Sequence, residues 1–216
     1  MSVFQSRPEI DNHTMKLIVG VIALSLPFLT SNLSVNPLDS ISAAYWDMGG
    51  WPRNIFVGFL FAIGAFLLSY NGHSGKEMVL SKIAAFASVG VAMFPCKCNG
   101  QAEIIPFVHY ASAAVMFGIL AIFCYLFLQR ARSKDWLQAR IRAVIYASCG
   151  LIIVIAMALM AADYLTGDVL SQHISRFTFY AEAAGLVAFG VAWLTASRIV
   201  PIITRTDERL SVLAFD

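Results

Sequence analysis

The chain has 216 residues, of which 59% are hydrophobic and 13% are charged, and its mean hydropathy is +0.73. This composition lies far outside that of ordinary water-soluble domains and predicts an integral membrane protein. The formal net charge of +2 is small. The sequence also lacks basic stretches with interleaved aromatic residues, so we expect no nucleic-acid partner.

A membrane-spanning helix needs roughly 20 mostly apolar residues, and six segments meet this requirement. The sequence therefore predicts one all-α domain over residues 1–216, a bundle of six transmembrane helices. The predicted helices cover residues 17–33, 54–70, 78–94, 104–128, 141–164 and 177–200. The first segment lacks an A-x-A cleavage pattern, so we interpret it as a retained helix rather than a signal peptide.

The distribution of Lys and Arg predicts the orientation, because short cytoplasmic loops are enriched in both. Twelve of the 15 basic residues fall on one side of the predicted bundle. They are Arg7, Lys16, Lys76, Lys82, Arg130, Arg132, Lys134, Arg140, Arg142, Arg198, Arg205 and Arg209, against Arg53, Lys97 and Arg176 on the other side. Both termini are therefore predicted to be cytoplasmic. The protein itself is predicted to lie in the cell membrane, which in a bacterium is the inner membrane.

The segment 32–53 is the longest predicted loop, and it faces outward in this topology. Long loops are often functional, although a solvated connector is the simpler interpretation. Tyr45, Trp46 and Trp51 are typical of side chains at a membrane interface. The candidate binding residues in this loop are Asp39, Ser40, Ser42, Trp46, Asp47 and Arg53.

Ionisable side chains inside a spanning helix are costly and require a partner or a wet cavity. His109 and Glu182 each lie about five residues into a predicted helix, at a depth of roughly 7 to 8 Å, and Asp163 lies at the outer end of another. Helical spacing places Ser112 on the face of His109, and Thr178 on the face of Glu182. We expect these side chains to point into the bundle, where small residues line helix contacts.

This outer polar layer has several interpretations. In the first, the side chains satisfy one another or reach interfacial water, which is the commonest role of such residues at shallow depth. In the second, they form a pocket for a lipid headgroup. Catalysis would use His109 as acid and base, with Glu182 or Asp163 orienting it. A metal site would add His173 to these three residues.

The four cysteines divide into two pairs. Cys96 and Cys98 lie in an outward loop and are candidates for a disulfide, either with each other or with partners elsewhere. Cys124 and Cys149 lie inside predicted helices, where we expect them to pack as small apolar groups.

Three stretches carry a resemblance: Ser40 to Tyr45, Pro52 to Gly58, and the Tyr70-Asn71-Gly72 helix end. They resemble a group of uncharacterised bacterial six-helix membrane proteins and, more distantly, the DRAM/Frag family. His109, near the outer start of the fourth helix, fits the same group. The resemblance covers about one fifth of the chain. It implies the six-helix fold and no particular activity, and the Cys96-Lys97-Cys98 loop has no counterpart in it.

The sequence lacks a P-loop, a G-x-S-x-G elbow and an H-E-x-x-H motif, so it identifies no cofactor and no catalytic class. Our first hypothesis is a non-enzymatic lipid- or partner-binding module or accessory subunit. Its partners would be membrane lipid, another membrane protein or a second copy of the chain. The alternative is an intramembrane lipid-modifying enzyme that uses His109. A transporter or channel ranks third, because no continuous polar path crosses the predicted helices.

Overall fold

A computed structural model describes residues 12–98 and 100–209, which leaves Arg7 of the basic count outside the described residues. The described chain is all-helical, with six long helices and one short one. These helices are α1 (Asn12–Leu33), α2 (Trp51–Ser69), α3 (Gly75–Met93), α4 (Val108–Arg132), α5 (Leu137–Leu165), α6 (Val169–His173) and α7 (Phe177–Ala196).

Five of these helices are long and apolar enough to cross a membrane: α1, α2, α4, α5 and α7. The predicted multi-pass membrane fold is thus supported in its general form. Helix α3 is not among the five, and its 19 residues include three charged ones, Lys76, Glu77 and Lys82. The count of six spans and the orientation of the termini stay predictions.

The six long helices form a closed ring in the order α1, α2, α3, α4, α5 and α7, with α7 returning to α1. Aromatic side chains fill its centre. Trp193 is fully buried, and its ring centroid lies 5.8 Å from that of Phe123 and 5.5 Å from that of Tyr70. Burial of such large side chains gives the ring a single continuous core.

Glycines allow α1 and α7 to approach closely. A Cβ atom on Gly190 would lie 2.7 Å from Cγ of Leu24 and 3.0 Å from the carbonyl oxygen of Gly20. Small residues let helix backbones pack tightly in membrane bundles, where close packing is a main source of helix association. The first and last long helices are therefore joined along this contact.

The predicted start of the fourth helix was wrong by four residues, because α4 begins at Val108 rather than at residue 104. Phe107 has a left-handed φ of 65°, and its backbone N–H donates to Oε2 of Glu103, with the N and O atoms 2.6 Å apart. This conformation holds the apolar Ile104 and Ile105 outside the helix. His109 is consequently the second residue of α4, not about the fifth.

The antiparallel helices give the bundle two distinct ends. The connector end contains the segment 34–50, which we call the connector, together with the turns at 94–107 and 166–176. The basic end contains the turns at 70–74 and 133–136 and the chain after residue 196. The predicted outer polar layer lies at the connector end, and most of the Lys and Arg residues lie at the other end.

Candidate functional site

Apolar side chains hold the connector against the bundle. Leu38 and Ile41 are only 4% and 1% exposed, and Ala43 and Ala44 are fully buried. A short 3-10 helix, Ser42–Trp46, contains the two alanines and packs on α2. The connector is therefore a packed element, and Ser42 is brought directly to the polar layer.

Glu182 on α7 receives the connector through three hydrogen bonds. Its Oε2 accepts from the backbone N–H groups of Ile41 at 2.5 Å and Ser42 at 3.3 Å, and its Oε1 accepts from Ser42 Oγ at 3.1 Å. Hydrogen bonds to a carboxylate are stronger than those between neutral groups. Glu182 thus fixes the 3-10 helix at a defined position above α7.

His109 on α4 completes this contact from the opposite side of the connector. Its Nδ1 lies 2.7 Å from the carbonyl oxygen of Phe94, the residue that ends α3, and its Nε2 lies 3.1 Å from Ser42 Oγ. The imidazole is only 3% exposed. We call Ser42, His109 and Glu182 the connector clasp, since they join the connector to α3, α4 and α7.

The hydrogen bonds of the clasp restrict where its protons reside. A carbonyl oxygen only accepts, so Nδ1 of His109 donates to Phe94. The single proton of Ser42 Oγ then points either to Glu182 or to His109. In the first arrangement His109 is doubly protonated and Glu182 is a carboxylate; in the second, a protonated Glu182 donates to Ser42 and His109 is neutral. Both arrangements satisfy every polar contact, and they differ only by proton transfer across the serine hydroxyl.

Asp163 belongs to a separate cluster. Its carboxylate accepts from the backbone N–H groups of Leu170 at 2.6 Å and Ser171 at 3.2 Å, and also from the Ser171 hydroxyl. Thr178 Oγ1 lies 3.4 Å from Ser171 Oγ. These contacts fix the start of α6 on the end of α5. The single layer expected from the sequence is therefore divided into the clasp and this Asp163 cluster.

The charged candidates of the predicted loop 32–53 lie outside the clasp, and Arg53 belongs to α2. Arg53 donates to Tyr45 Oη at 3.3 Å and covers its ring. Asp47 accepts from the backbone N–H groups of Val35 and Gly49 at 3.2 and 2.8 Å, which closes a turn. Asp39 is exposed at its side chain. None of these hydrogen bonds joins Arg53 or Asp47 to His109.

The remaining predicted residues have local packing roles. Ser112 lies against Gly90, where α4 approaches α3. His173 is exposed, and its Nδ1 lies 2.8 Å from the carbonyl oxygen of Val169. Within residues 12–98 and 100–209, no group of three His, Cys, Asp or Glu side chains is placed to hold a metal ion. The residues suggested as metal ligands are therefore not brought together.

The cysteine loop packs against the connector. Cys96 and Cys98 form a disulfide with each other, with their Cα atoms 5.4 Å apart, which selects one of the two predicted pairings. The indole of Trp46 donates to the carbonyl oxygen of Cys96 at 3.0 Å, and Ser40 Oγ lies 3.8 Å from Cys98 Sγ. The expected packing role of Cys124 and Cys149 agrees with their state, free and buried.

Arg176 also secures the connector, and the sequence did not indicate this role. Its Nε donates to the carbonyl oxygen of Leu38 at 2.8 Å, and its Nη2 donates to Ser31 Oγ at 3.0 Å. The guanidinium lies 4.2 Å from the ring centroid of Phe179. The sequence showed only that Arg176 is one of three basic residues on the predicted outward side. It could not show the contact itself, because the main partner is a backbone carbonyl.

Comparison with known proteins found no matching family model, no matching curated protein and no matching solved structure. The resemblance to the DRAM/Frag family accordingly stays a prediction. The function has to be argued from the geometry of this chain alone.

Proposed function

We propose that this chain is a non-enzymatic, six-span protein of the cell membrane that serves as a binding module or accessory subunit for a membrane lipid or a membrane-protein partner. The clasp would hold the connector as a fixed outward surface. The observation that carries this proposal is the set of three hydrogen bonds from Ile41 and Ser42 to Glu182.

The polar groups of the connector end are used by the chain itself. Glu182, His109, Asp163 and Arg176 each bind a backbone group of another segment. Ser42 and His109 are 7% and 3% exposed, so little of either side chain can meet a ligand in this conformation. Buried networks whose members are all satisfied make a structure more rigid. This pattern favours a structural role for the layer over a catalytic one.

The experiment is to replace Glu182 with Gln and to measure thermal unfolding in a neutral detergent together with recovery of bound lipid or protein. With Glu182 as a carboxylate, losing charge-assisted hydrogen bonds of this kind costs about 1.5–3 kcal/mol, which corresponds to a fall in Tm of roughly 3–12 °C. Partner recovery should fall with it, because the outward surface is no longer fixed.

Asp168→Asn provides the matched control. It removes a carboxylate at the same end, where the side chain is exposed, and Asn tolerates the left-handed conformation of this residue. We expect this variant to behave like the native protein. Equal stability and equal partner recovery for the Glu182 and Asp168 variants would contradict the proposal.

One observation favours a second candidate, a lipid-modifying enzyme. Ser42 Oγ lies 3.1 Å from His109 Nε2, a spacing found between a nucleophile and its general base. An activated serine reacts with fluorophosphonates, so the whole protein can be tested for labelling with such a probe. Labelling that disappears in Ser42→Ala would favour the enzyme, whereas an unlabelled native protein agrees with the non-enzymatic role.

A further inference from the structure

The basic end contains a cavity of about 60 Å³ between the ends of several helices. Seven of its 11 lining residues are Lys, Arg or His, and they come from α1, α4, α5 and the chain around α3 and α7. The basic ones are His13, Lys16, His73, Arg130, Lys134, Arg142 and Arg198, and the others include Phe127 and Tyr146. Segments far apart in sequence thus contribute positive groups to one small space.

Among the residues that the structure describes, positive charge exceeds negative charge around this cavity. Two carboxylates pair there with four of the lining cations, which are Arg130, Lys134, Arg142 and Arg198. Glu77 lies 3.3 Å from Arg130, and Glu208 lies 2.9 Å from Arg142. Like charges this close repel one another in a partly desolvated site, so an additional anion would be favoured there.

Arg130 carries a donor that is ready for such an anion. Its Nη1 pairs with Glu77, whereas its Nη2 is buried and makes no hydrogen bond within residues 12–98 and 100–209. A buried donor without a partner is unfavourable, and such groups are uncommon. An acceptor oxygen in the cavity would satisfy it.

Neighbouring groups report the same positive field. Burial lowers the pKa of His73, and the nearby charges of Arg130 and Lys16 lower it further. Lys16 is only 3% exposed, with its ammonium 5.4 Å from the ring centroid of Tyr70. An anion in the cavity would be stabilised by the same field.

Glu208 shows how an oxygen anion is held here. Its carboxylate bridges Lys134 and Arg142, with Arg198 at 3.8 Å. Arginine presents several N–H donors in a plane that matches carboxylate and phosphate oxygens. The same set of donors lines the cavity beside Glu208, so a second oxyanion would find donors of the same kind.

We propose that this cavity is a binding site for one phosphate-type oxyanion, either the headgroup phosphate of an anionic lipid or free inorganic phosphate. Its volume of about 60 Å³ suits a single compact group. The site lies at the opposite end of the bundle from the connector clasp and does not depend on the role proposed for the clasp.

The test uses the full chain, purified in a neutral detergent and reconstituted in nanodiscs. Inorganic phosphate is titrated against the detergent-solubilised protein by calorimetry. In parallel, nanodiscs of phosphatidylcholine alone and nanodiscs containing phosphatidic acid are compared by native mass spectrometry for retained lipid. Saturable phosphate binding alone identifies the free ion as the ligand, and selective retention of phosphatidic acid identifies a headgroup. Either result supports the site. The absence of both phosphate binding and selective lipid retention would overturn the proposal.

Arg130→Gln is the informative variant, because it removes the donor that lacks a partner. We expect binding at least about tenfold weaker, the loss of one charge-assisted hydrogen bond. Arg132→Gln is the matched control: it lies on the same last turn of α4, is exposed and does not line the cavity. Equal binding by the two variants would overturn the proposal.

Arg130 also pairs with Glu77, so its replacement removes a structural ion pair as well. Arg198→Gln serves as the second variant, because Arg198 lines the cavity from a different segment and is 28% exposed at its side chain. It should weaken binding of the same probe, and native affinity in this folded variant and in Arg130→Gln would count against the site.

Discussion

The two ends of the bundle use polar residues in opposite ways. At the connector end a few charged groups each bind backbone or hydroxyl groups of another segment, as Glu182 binds Ile41 and Ser42. At the basic end four of the described cations share two carboxylates around a cavity. The first arrangement fixes a shape, whereas the second retains positive charge that can attract a ligand. Polar residues near the ends of membrane helices therefore do not share one purpose.

The largest effect is expected from Ser42→Ala. Removing this hydroxyl leaves Nε2 of His109 and Oε1 of Glu182 without a shared partner, and two unsatisfied buried groups cost roughly 2–6 kcal/mol together. Lys134→Ala at the basic end should cost about 1 kcal/mol or less, because Glu208 keeps Arg142 as a partner. Thermal unfolding in detergent measures both.

Ser34→Ala is the control for the serine substitution, because Ser34 is also in the connector but its hydroxyl binds only the nearby Ser31 carbonyl. It should leave Tm nearly unchanged. If Lys134→Ala proved as damaging as Ser42→Ala, the contrast between a shape-fixing end and a ligand-attracting end would be lost.

Much of the fold could be predicted from the sequence, because membrane helices need long apolar segments. Each of the six predicted segments overlaps one long helix, and α7 begins at Phe177 as expected. The errors lie at helix ends. Residues 104 and 105 are apolar, and nothing in their hydropathy reveals that Phe107 adopts a left-handed backbone conformation. Hydropathy reports which residues avoid water, and it does not report local backbone geometry.

The candidate site was only partly predictable for a related reason. The ionisable character of His109 and Glu182 marked the layer, but their bridge is Ser42, a residue from a loop distant in sequence. The cavity at the basic end was missed, since its cations are spread over several segments and were counted only for topology. Sequence shows which groups are costly to bury, whereas their partners depend on how the helices close into a ring.

A second, smaller effect tests the division of the predicted layer into two clusters. Asp163→Asn weakens the contacts to Leu170 and Ser171, and it should lower Tm by less than Ser42→Ala, because only the short α6 is released. In the double variant that also carries Glu182→Gln, the two decreases in Tm should add, since distant sites without shared partners behave independently. A combined decrease clearly different from the sum would show that Asp163 and the clasp form one network.

The smallest effect concerns the pH dependence of the basic end. Burial alone would raise the pKa of the Glu208 carboxyl, but hydrogen bonds from Lys134 and Arg142 outweigh it, and the pKa lies below its ordinary value. A carboxyl with a lowered pKa in the folded state stabilises the protein fully above its unfolded pKa, about 4.3, and this contribution is lost as the pH falls through the folded value.

The difference in Tm between the native protein and Glu208→Gln should therefore be constant from pH 7 to about pH 5. This difference should vanish in stronger acid. The free energy of unfolding behind it is about 1 kcal/mol or less, because the ion pairs are partly open to solvent. A difference that grew on acidification would show that Glu208 is not held as a carboxylate by these cations, and the excess of positive charge at this end would have to be recounted.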